Sequence, residues 1–197
     1  MERYPPSLIL ASRSPRRRAL LAAAGFRFEV VLPAESAEDG AVAGESPEAM
    51  VARLARQKAA DVVGRVSQGL VLGCDTVAEC QGEILGKPRD RSDARAMLRR
   101  LSGQHHRVLS GLCLWPAPDG CPMVRVAVTT LQMDELSPSQ LDAYLDGGGW
   151  QGKAGAFGYQ DGIDWVHVLE GSESNVVGLP MELLAEMLQE IDRTAQA

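Results

Sequence analysis

The sequence predicts a protein of mixed strands and helices, of the α/β or the α+β class. Short apolar runs at residues 7–11 (SLILA) and 69–80 (GLVLGCDTVAEC) are typical of buried strands. Residues 46–65 carry apolar side chains at helical spacing, with Ser46 as the expected N-cap. A Pro/Gly-rich segment joins two further strands, 106–115 and 123–133, and this predicts a hairpin in the middle of the chain. Periodicity alone does not order the strands.

The remaining elements follow from start and stop signals along the chain. Ser14 and Pro15 open a helix that Gly25 closes. Small and polar residues at 34–46 predict a surface loop, and the Gln81-Gly82 turn leads into a short return strand that ends at Leu85. Further strands are expected at 26–33 and 163–171, helices at 92–103, 137–149 and 179–192, and an irregular glycine-rich segment at 152–162.

Composition excludes several classes of partner. The formal net charge is -6, from 20 basic and 26 acidic residues, which argues against binding nucleic acid or an anionic membrane through bulk charge. The four cysteines match no zinc spacing, so a reduced, cytoplasmic protein is expected. No run of 18 apolar residues exists, and the N-terminus lacks a signal-peptide pattern. The three histidines have no ligand spacing that indicates a metal site.

The arginines at 16–18 crowd the first turn of the first helix, the end that already carries a partial positive charge. Two interpretations remain open. Backbone N–H groups and arginine side chains together form an anion site, because arginine binds phosphate oxygens in a bidentate way. Alternatively, the side chains point into water, as solvated arginines commonly do.

Other charged and polar residues are weak signals when each is taken alone. Lys58 lies on the apolar stripe of its helix, which fits either a lysine at the edge of the core or one aimed into a cleft. Asp75 and Thr76 follow a buried strand, where a carboxylate can hold a metal or a water or simply form a turn. Lys87 lies in a loop, and Lys153 and Gln160 lie in glycine-rich backbone that could approach a ligand closely or form a mobile surface loop.

Taken in order, these segments resemble the Maf family of nucleotide pyrophosphatases. The resemblance covers the chain from about Leu8 to the last helix. Its motifs are S-x-S-P-R-R at Ser12–Arg17, the helix segment ARQKA ending in Lys58-Ala59, GCDTV around Asp75, Gly86-Lys87-Pro88, L-S-G-x-x-H at 101–106, KAGAFGYQ at 153–160, and NVVGLP at 175–180.

The resemblance implies a fold, a reaction and a cofactor. The fold is α/β, a two-lobed Maf/ITPase-like structure with a mixed sheet and a deep cleft between lobes, formed by a single domain over residues 1–197 and, in many members, assembled as a homodimer. The reaction splits a nucleoside triphosphate between its α- and β-phosphates with a divalent metal, Mg²⁺ or Mn²⁺. The family is linked to the cleansing of nucleotide pools and to septum formation. No nucleic acid or membrane partner is implied.

The resemblance also assigns roles to residues. Asp75 would hold the metal or act as base, and Lys58 and Lys87 would neutralise the triphosphate. Ser12, Arg16, Arg17 and Lys153 would contact substrate, and Thr76 and Gln160 would contact the base. Family members carry a glutamate in the loop after the second strand; spacing to Lys58 favours Glu38 here as a catalytic and metal-binding residue, with Glu35 and Asp39 as alternatives.

The combination of Arg16, Arg17, Thr76 and Gln160 resembles the subgroup of dTTP/UTP pyrophosphatases. Two rival functions stay open at this point. One is a pyrophosphatase for 7-methyl-GTP or another modified purine nucleotide, and the other is a catalytically silent nucleotide-binding regulator of septum formation. An intact set of Asp75, Lys58 and Lys87 argues against a silent binder, which needs no carboxylate beside the scissile bond.

Overall fold

The computed structural model describes residues 7–38, 42 and 44–194. The strands are β1 (Leu8–Ala11), β2 (Phe28–Val30), β3 (Gly69–Cys80), β4 (Glu83–Leu85), β5 (His105–Ala117), β6 (Met123–Met133) and β7 (Val166–Glu170). The α-helices are α1 (Pro15–Ala23), α2 (Pro47–Val63), α3 (Arg91–Leu101), α4 (Pro138–Asp146), α5 (Glu173–Val177) and α6 (Met181–Thr194). Short 3-10 turns cover Glu35–Glu38, Ala154–Ala156 and Tyr159–Asp161.

The strands form one mixed sheet in the order β2-β1-β3-β5-β6-β7, with β4 paired to β3. Strand β1 is parallel to both β2 and β3, whereas the β3–β4 and β6–β7 pairs are antiparallel. Parallel pairs need crossover connections, and α1 and α2 supply them. The α/β class with a mixed sheet is therefore confirmed.

The chain divides into two compact units. The first unit consists of the described residues up to Asp75, of Ser110–Ala127, and of those from Gly178 onward. The second unit consists of Thr76–Leu109 and Val128–Val177. Strands β3, β5 and β6 each contribute residues to both units.

Side chains along β3 point alternately to the two faces of the sheet, and each face of the first unit packs against different helices. Leu70, Leu72 and Cys74 belong to a buried cluster with residues of α1 and α6, whereas Val71 belongs to a cluster with residues of α2. The sheet of this unit is therefore covered by helices on both faces. Because successive strand side chains point to opposite faces, Asp75 shares the face of Val71 and is directed toward α2.

The second unit has a core of its own. Leu98 and Leu101 of α3 and Leu141 and Leu145 of α4 are buried in one cluster with residues of β3, β6 and β7. Arginines of α3 pair with aspartates of α4 at the surface, as in the contact of Arg91 with Asp146. Such exposed pairs contribute little by themselves, so the apolar cluster supplies most of the stability of this unit.

Most helix boundaries follow the expected signals, with some corrections. Ser14, Ser46 and Ser137 cap α1, α2 and α4 as N-cap residues. The N-cap of α3 is Asp90, so this helix begins earlier than the expected residue 92. The strand expected at 26–33 is shorter, and α5 was not expected at all. No helix in the described ranges is both long enough and apolar enough to cross a membrane.

Candidate active site

The first unit gathers its polar residues where parallel strands end. Leu10 of β1 pairs with Val30 of β2, and Ala11 pairs with Gly73 of β3. The carboxyl end of β1 therefore lies beside the middle of β3, just before Asp75, and the carboxyl end of β2 lies on the other side of β1. Ligand sites of α/β proteins lie at such edges, because the chain there leaves the sheet in loops and helix N-termini. Asp75 itself lies inside β3, whose bounds are those of the strand expected at 69–80, and not at a strand end.

The start of α1 follows β1 at this edge. The Ser14 hydroxyl accepts a hydrogen bond from the Arg17 backbone N–H at 3.4 Å and so caps the helix. The Ser12 hydroxyl in turn accepts one from the Ser14 backbone N–H at 3.2 Å. These bonds fix the direction in which the arginine-rich turn leaves the strand.

The Arg17 side chain lies inside the protein. It is 8% exposed, and its Nε donates to the Gly178 carbonyl at 2.8 Å while its Nη1 donates to the Ser12 hydroxyl at 3.1 Å. The Cys74 thiol contacts the same Gly178 carbonyl at 3.4 Å. Arg17 therefore joins the turn after β1 to the NVVGLP segment, beside the strand that carries Asp75. Neither interpretation of the arginine cluster, solvated or anion-binding, included this structural contact; Arg18, by contrast, is exposed.

Two glycines form the surface on which α2 rests. A Cβ atom on Gly73 of β3 would overlap the Ala55 carbonyl oxygen and lie 2.9 Å from the Ala59 nitrogen. A Cβ atom on Gly111 of β5 would overlap the Val51 backbone in the same way. Neither glycine has a positive φ, so the requirement at both positions is for space. The missing side chains let the backbone of α2 approach the sheet closely.

This close approach brings Lys58 to Asp75. The Lys58 Nζ donates to the Asp75 Oδ1 at 2.6 Å, and the two side chains are 5% and 15% exposed. Lys58 is thus not a lysine that reaches the solvent from the edge of the core. Removing one member of such a buried pair is costly, because the other charge is left uncompensated.

A second cation acts on this carboxylate. Arg53, one turn earlier on α2, makes two hydrogen bonds to the Glu45 carboxylate, at 2.8 and 2.7 Å, and one to Gln57 Oε1 at 3.1 Å. The hydrogen bonds to Glu45 are the main cause that raises the pKa of Arg53, and the charge of Asp75 adds to it. The same contact lowers the pKa of the Glu45 carboxyl. No sequence signal marked Arg53 or Glu45 as a functional residue.

Hydrogen bonds hold the residues just before the acidic turn Glu35–Glu38, which follows β2. Arg13 donates to the Pro33 carbonyl at 2.9 Å, and the Ala34 backbone N–H donates to Asp61 of α2 at 2.9 Å. Glu35 is 91% exposed and faces Arg13 at 3.8 Å. The Glu38 side chain and the whole of Asp39 lie outside the described residues, so the choice among the three acids stays a prediction.

The second unit brings together two of its expected motifs. The Gly155 backbone N–H donates to the Gly86 carbonyl at 3.0 Å, which joins the KAGAFGYQ segment to the Gly86-Lys87-Pro88 loop. Lys87 and Gln160 are exposed, and Thr76 is partly buried beside Asp75 in the chain. Lys153 forms an ion pair with Asp161, a residue that no sequence signal singled out.

His106, the histidine of the L-S-G-x-x-H motif, supports the same segment. It is 2% exposed and meets the Phe157 ring edge-on, with the centroids 5.4 Å apart. Its Nδ1 lies 3.5 Å from the Gln104 carbonyl, and its Nε2 has no hydrogen-bond partner among the described residues. Burial lowers the pKa of His106 to about 4, so the imidazole is neutral at physiological pH.

No group of three or more His, Cys, Asp or Glu side chains that could hold a metal occurs among the described residues. Asp75 nevertheless fits one kind of cation site. Mg²⁺ is often held by one or two carboxylates together with substrate phosphates and water, without a complete protein cage. The Asp75 carboxylate, which has further acceptor sites beyond its hydrogen bond to Lys58, matches that chemistry.

Comparisons with curated proteins agree with one another. Curated proteins named "dTTP/UTP pyrophosphatase" are similar to this chain: one from Rhodopirellula baltica is 56% identical over 98% of this chain and 85% of its own length. One from Geotalea uraniireducens is 42% identical over 89% and 90%, and one from Ruminiclostridium cellulolyticum is 37% identical over 94% and 96%.

A solved nucleoside-triphosphatase (dITP/XTP pyrophosphatase) from Mycobacterium abscessus gives a TM-score of 0.39 and 16% identity over 64% of this chain and 72% of its own. A likeness this low says nothing about shared chemistry. The family model described as "Maf-like protein" matches residues 7–191, the span over which the ordered motifs were found. The chain belongs to the Maf family.

Proposed function

We propose that this protein is a dTTP/UTP pyrophosphatase that hydrolyses the bond between the α- and β-phosphates and releases the monophosphate and pyrophosphate. The proposal depends on the buried Lys58–Asp75 pair at the edge where β1, β2 and β3 meet the N-terminus of α1. The printed names of the relatives support the choice of substrate.

Asp75 acts as the general base. One of its oxygens accepts from Lys58, and a carboxylate retains further acceptor sites after one such bond. A water held by Asp75 loses its proton to the carboxylate as its oxygen bonds to the α-phosphorus. The α–β bridging bond breaks, and pyrophosphate leaves. Lys58 holds Asp75 in place through this hydrogen bond, and its positive charge offsets the negative charge that develops on the phosphate.

A divalent metal, Mg²⁺ or Mn²⁺, is part of this proposal. Asp75, together with Glu38 from the turn after β2, would hold it. When bound, such an ion neutralises the phosphate oxygens and polarises the reacting phosphorus.

The remaining residues divide between phosphates and base. Arg16, in the first turn of α1, and Lys87 bind phosphate oxygens. Thr76 and Gln160 offer a hydroxyl and an amide to the pyrimidine edge. Ser12 and Arg17 act on this site by fixing the turn after β1, as their contacts indicate.

The four cysteines, all unbridged, support a cytoplasmic location, where thiols stay reduced. A single-domain, homodimeric assembly and a link to septum formation remain predictions.

The test is phosphate release, coupled to inorganic pyrophosphatase, from dTTP, UTP, ATP, GTP and 7-methyl-GTP with Mg²⁺. We expect dTTP and UTP to exceed ATP and GTP by ~10²-fold in kcat/KM, because a site built to hydrogen-bond one base leaves polar groups unpaired with another. A preference for 7-methyl-GTP would show that the substrate is a modified purine nucleotide and not dTTP or UTP. No turnover of any nucleotide would favour the silent regulator.

Two variants test the machinery. Asp75→Asn keeps the shape of the side chain and should lower kcat by at least ~10²-fold, the scale of a positioned general base. Asp119→Asn, which removes an exposed carboxylate of the same unit, is the matched control and should turn over normally. Normal turnover by a folded Asp75→Asn protein would remove Asp75 from the reaction.

A further inference from the structure

The ion pair between Lys153 and Asp161 lies within the KAGAFGYQ segment and its next residue. The Lys153 side chain is 13% exposed and that of Asp161 is 34% exposed, so the ammonium is largely withdrawn from water. Neutralised in this way, Lys153 is poorly suited to binding phosphate directly. Its surroundings indicate a different role.

Gly158 lies directly beneath this ion pair. A Cβ atom there would overlap both the Lys153 ammonium and the Asp161 carboxylate. The backbone of Gly158 has φ -120° and ψ 97°, a conformation open to any residue. The glycine therefore leaves room for the ion pair, and a side chain there would displace the ends of Lys153 and Asp161. Its backbone N–H donates to the Tyr144 hydroxyl at 3.0 Å, which holds this backbone in place.

The residues around Gln160 are all anchored, while Gln160 is exposed. Phe157 packs edge-on against His106. The Tyr159 hydroxyl donates to Glu173 at 2.9 Å. Asp161 closes the 3-10 turn Tyr159–Asp161 and is tied to Lys153. The Lys153–Asp161 ion pair thus holds the end of the 3-10 turn Tyr159–Asp161, which carries the Gln160 amide.

We propose that Asp161 is a positioning residue for base recognition: its ion pair with Lys153, closed over Gly158, fixes the turn that presents Gln160 to the pyrimidine. The inference rests on the proposed function and adds a specificity determinant to it. Lys153, in this account, acts through Asp161 rather than on the substrate.

The readout is discrimination between dTTP and dCTP, which share sugar, phosphates and pyrimidine ring and differ in the 5-methyl group and at the base edge that an amide would recognise. Asp161→Asn should lower the ratio of kcat/KM for dTTP over dCTP by ~5-fold or more, the scale of a coupled pair. The loss should appear in KM for dTTP, with kcat little changed. Asp161→Glu keeps the charge and should retain part of the ratio. Asp164→Asn, an exposed carboxylate three residues on, is the matched control and should leave the ratio unchanged.

A double-mutant cycle separates this role from direct binding. Lys153→Met should reduce the ratio as much as Asp161→Asn does, and the double variant should lose no more than either, because each single change already breaks the pair. A much larger loss in Lys153→Met, or losses that multiply in the double variant, would show that Lys153 acts on the substrate itself. An unchanged ratio in Asp161→Asn, with a lowered melting temperature, would make the pair purely structural.

Failure of the inference and failure of the proposed function are distinguishable in the same experiment. If the unaltered protein hydrolyses no pyrimidine triphosphate, the proposed function is wrong and the inference falls with it. If the unaltered protein prefers dTTP and the Asp161 variants keep that preference, the inference alone is wrong.

Discussion

Burial of His106 makes the protein less stable in weak acid, and one substitution should remove the effect. The side chain is 2% exposed, and Nε2 has no hydrogen-bond partner among the described residues. Taking the imidazolium out of water is the main cause that lowers its pKa from 6.5 to about 4. The Gln104 carbonyl and the charge of Glu79 act in the opposite direction but are outweighed, while the charge of His105 also lowers the pKa.

The sign and size of the effect follow from proton linkage. In the unfolded chain, His106 binds a proton near pH 6.5, whereas in the folded protein it does so near pH 4. Between these values the unfolded state holds more protons, so the free energy of unfolding falls as the pH decreases from 6.5 toward 4. From pH 7 to pH 5, this one group should remove about 2 kcal/mol of stability.

The assay is urea unfolding at pH 7, 6 and 5. His106→Phe keeps a ring against Phe157 and cannot be protonated, so its loss of stability between pH 7 and pH 5 should be about 2 kcal/mol smaller than that of the unaltered protein. His105→Gln, at the exposed neighbouring position, is the matched control; it removes only the last and smallest cause of the lowered pKa, so its loss should stay close to that of the unaltered protein and exceed that of His106→Phe. Equal losses in the unaltered and His106→Phe proteins would refute the assignment of this pH dependence to His106.

Two further substitutions test the scaffold of the active site. Gly73→Ala should cost about 1–3 kcal/mol of unfolding free energy by forcing α2 off the sheet, and should lower kcat as well. Gly64→Ala is its control, because a Cβ atom on Gly64 would have nothing within 4 Å. Equal stability of the two variants would refute the steric argument. Arg17→Gln should cost about 1.5–3 kcal/mol through its lost contact with the Gly178 carbonyl, whereas the exposed Arg18→Gln should stay within about 0.5 kcal/mol of the unaltered protein in the same urea unfolding. If Arg17→Gln were as stable as Arg18→Gln and only bound nucleotide less well, the side chain would belong to the substrate site instead.

Local periodicity predicted the direction of the reacting side chains. Helical spacing placed Lys58 in the stripe of Val51 and Val62, and this stripe is buried in the structure. The strand period of two gives Asp75 the same face as Val71. Each residue could be assigned to a face from the sequence because 3.6- and 2-residue periods are local properties. The 2.6 Å distance between the Lys58 Nζ and the Asp75 Oδ1 could not be predicted in this way, since it depends on how closely a helix approaches a strand.

Long-range contacts explain what the sequence did not predict. Arg17 donates to a carbonyl 161 residues away, and no local pattern contains that partner. The local charge pattern indicated that arginines at the N-terminus of α1 are unfavourable. The position of the Arg17 side chain instead depends on its burial against Gly178. Asp161 was missed for a related reason: the segment around it follows no helical or strand period, so nothing marked its side chain as directed toward Lys153.

Glycines decide where charges meet in both units. In the first unit, Gly73 lets α2 approach β3 until Lys58 reaches Asp75; in the second, Gly158 leaves the space in which Lys153 reaches Asp161. Neither glycine has a positive φ, so alanine would act at these positions by overlap and not by backbone strain. The overlap is with the α2 backbone at Gly73 and with the ends of two flexible side chains at Gly158. Gly82, by contrast, has φ 82° with nothing near its missing side chain, and alanine there would strain the turn alone. Alanine at the first two positions should therefore change catalysis or base preference, whereas alanine at Gly82 should change stability only, because no charged pair lies over it.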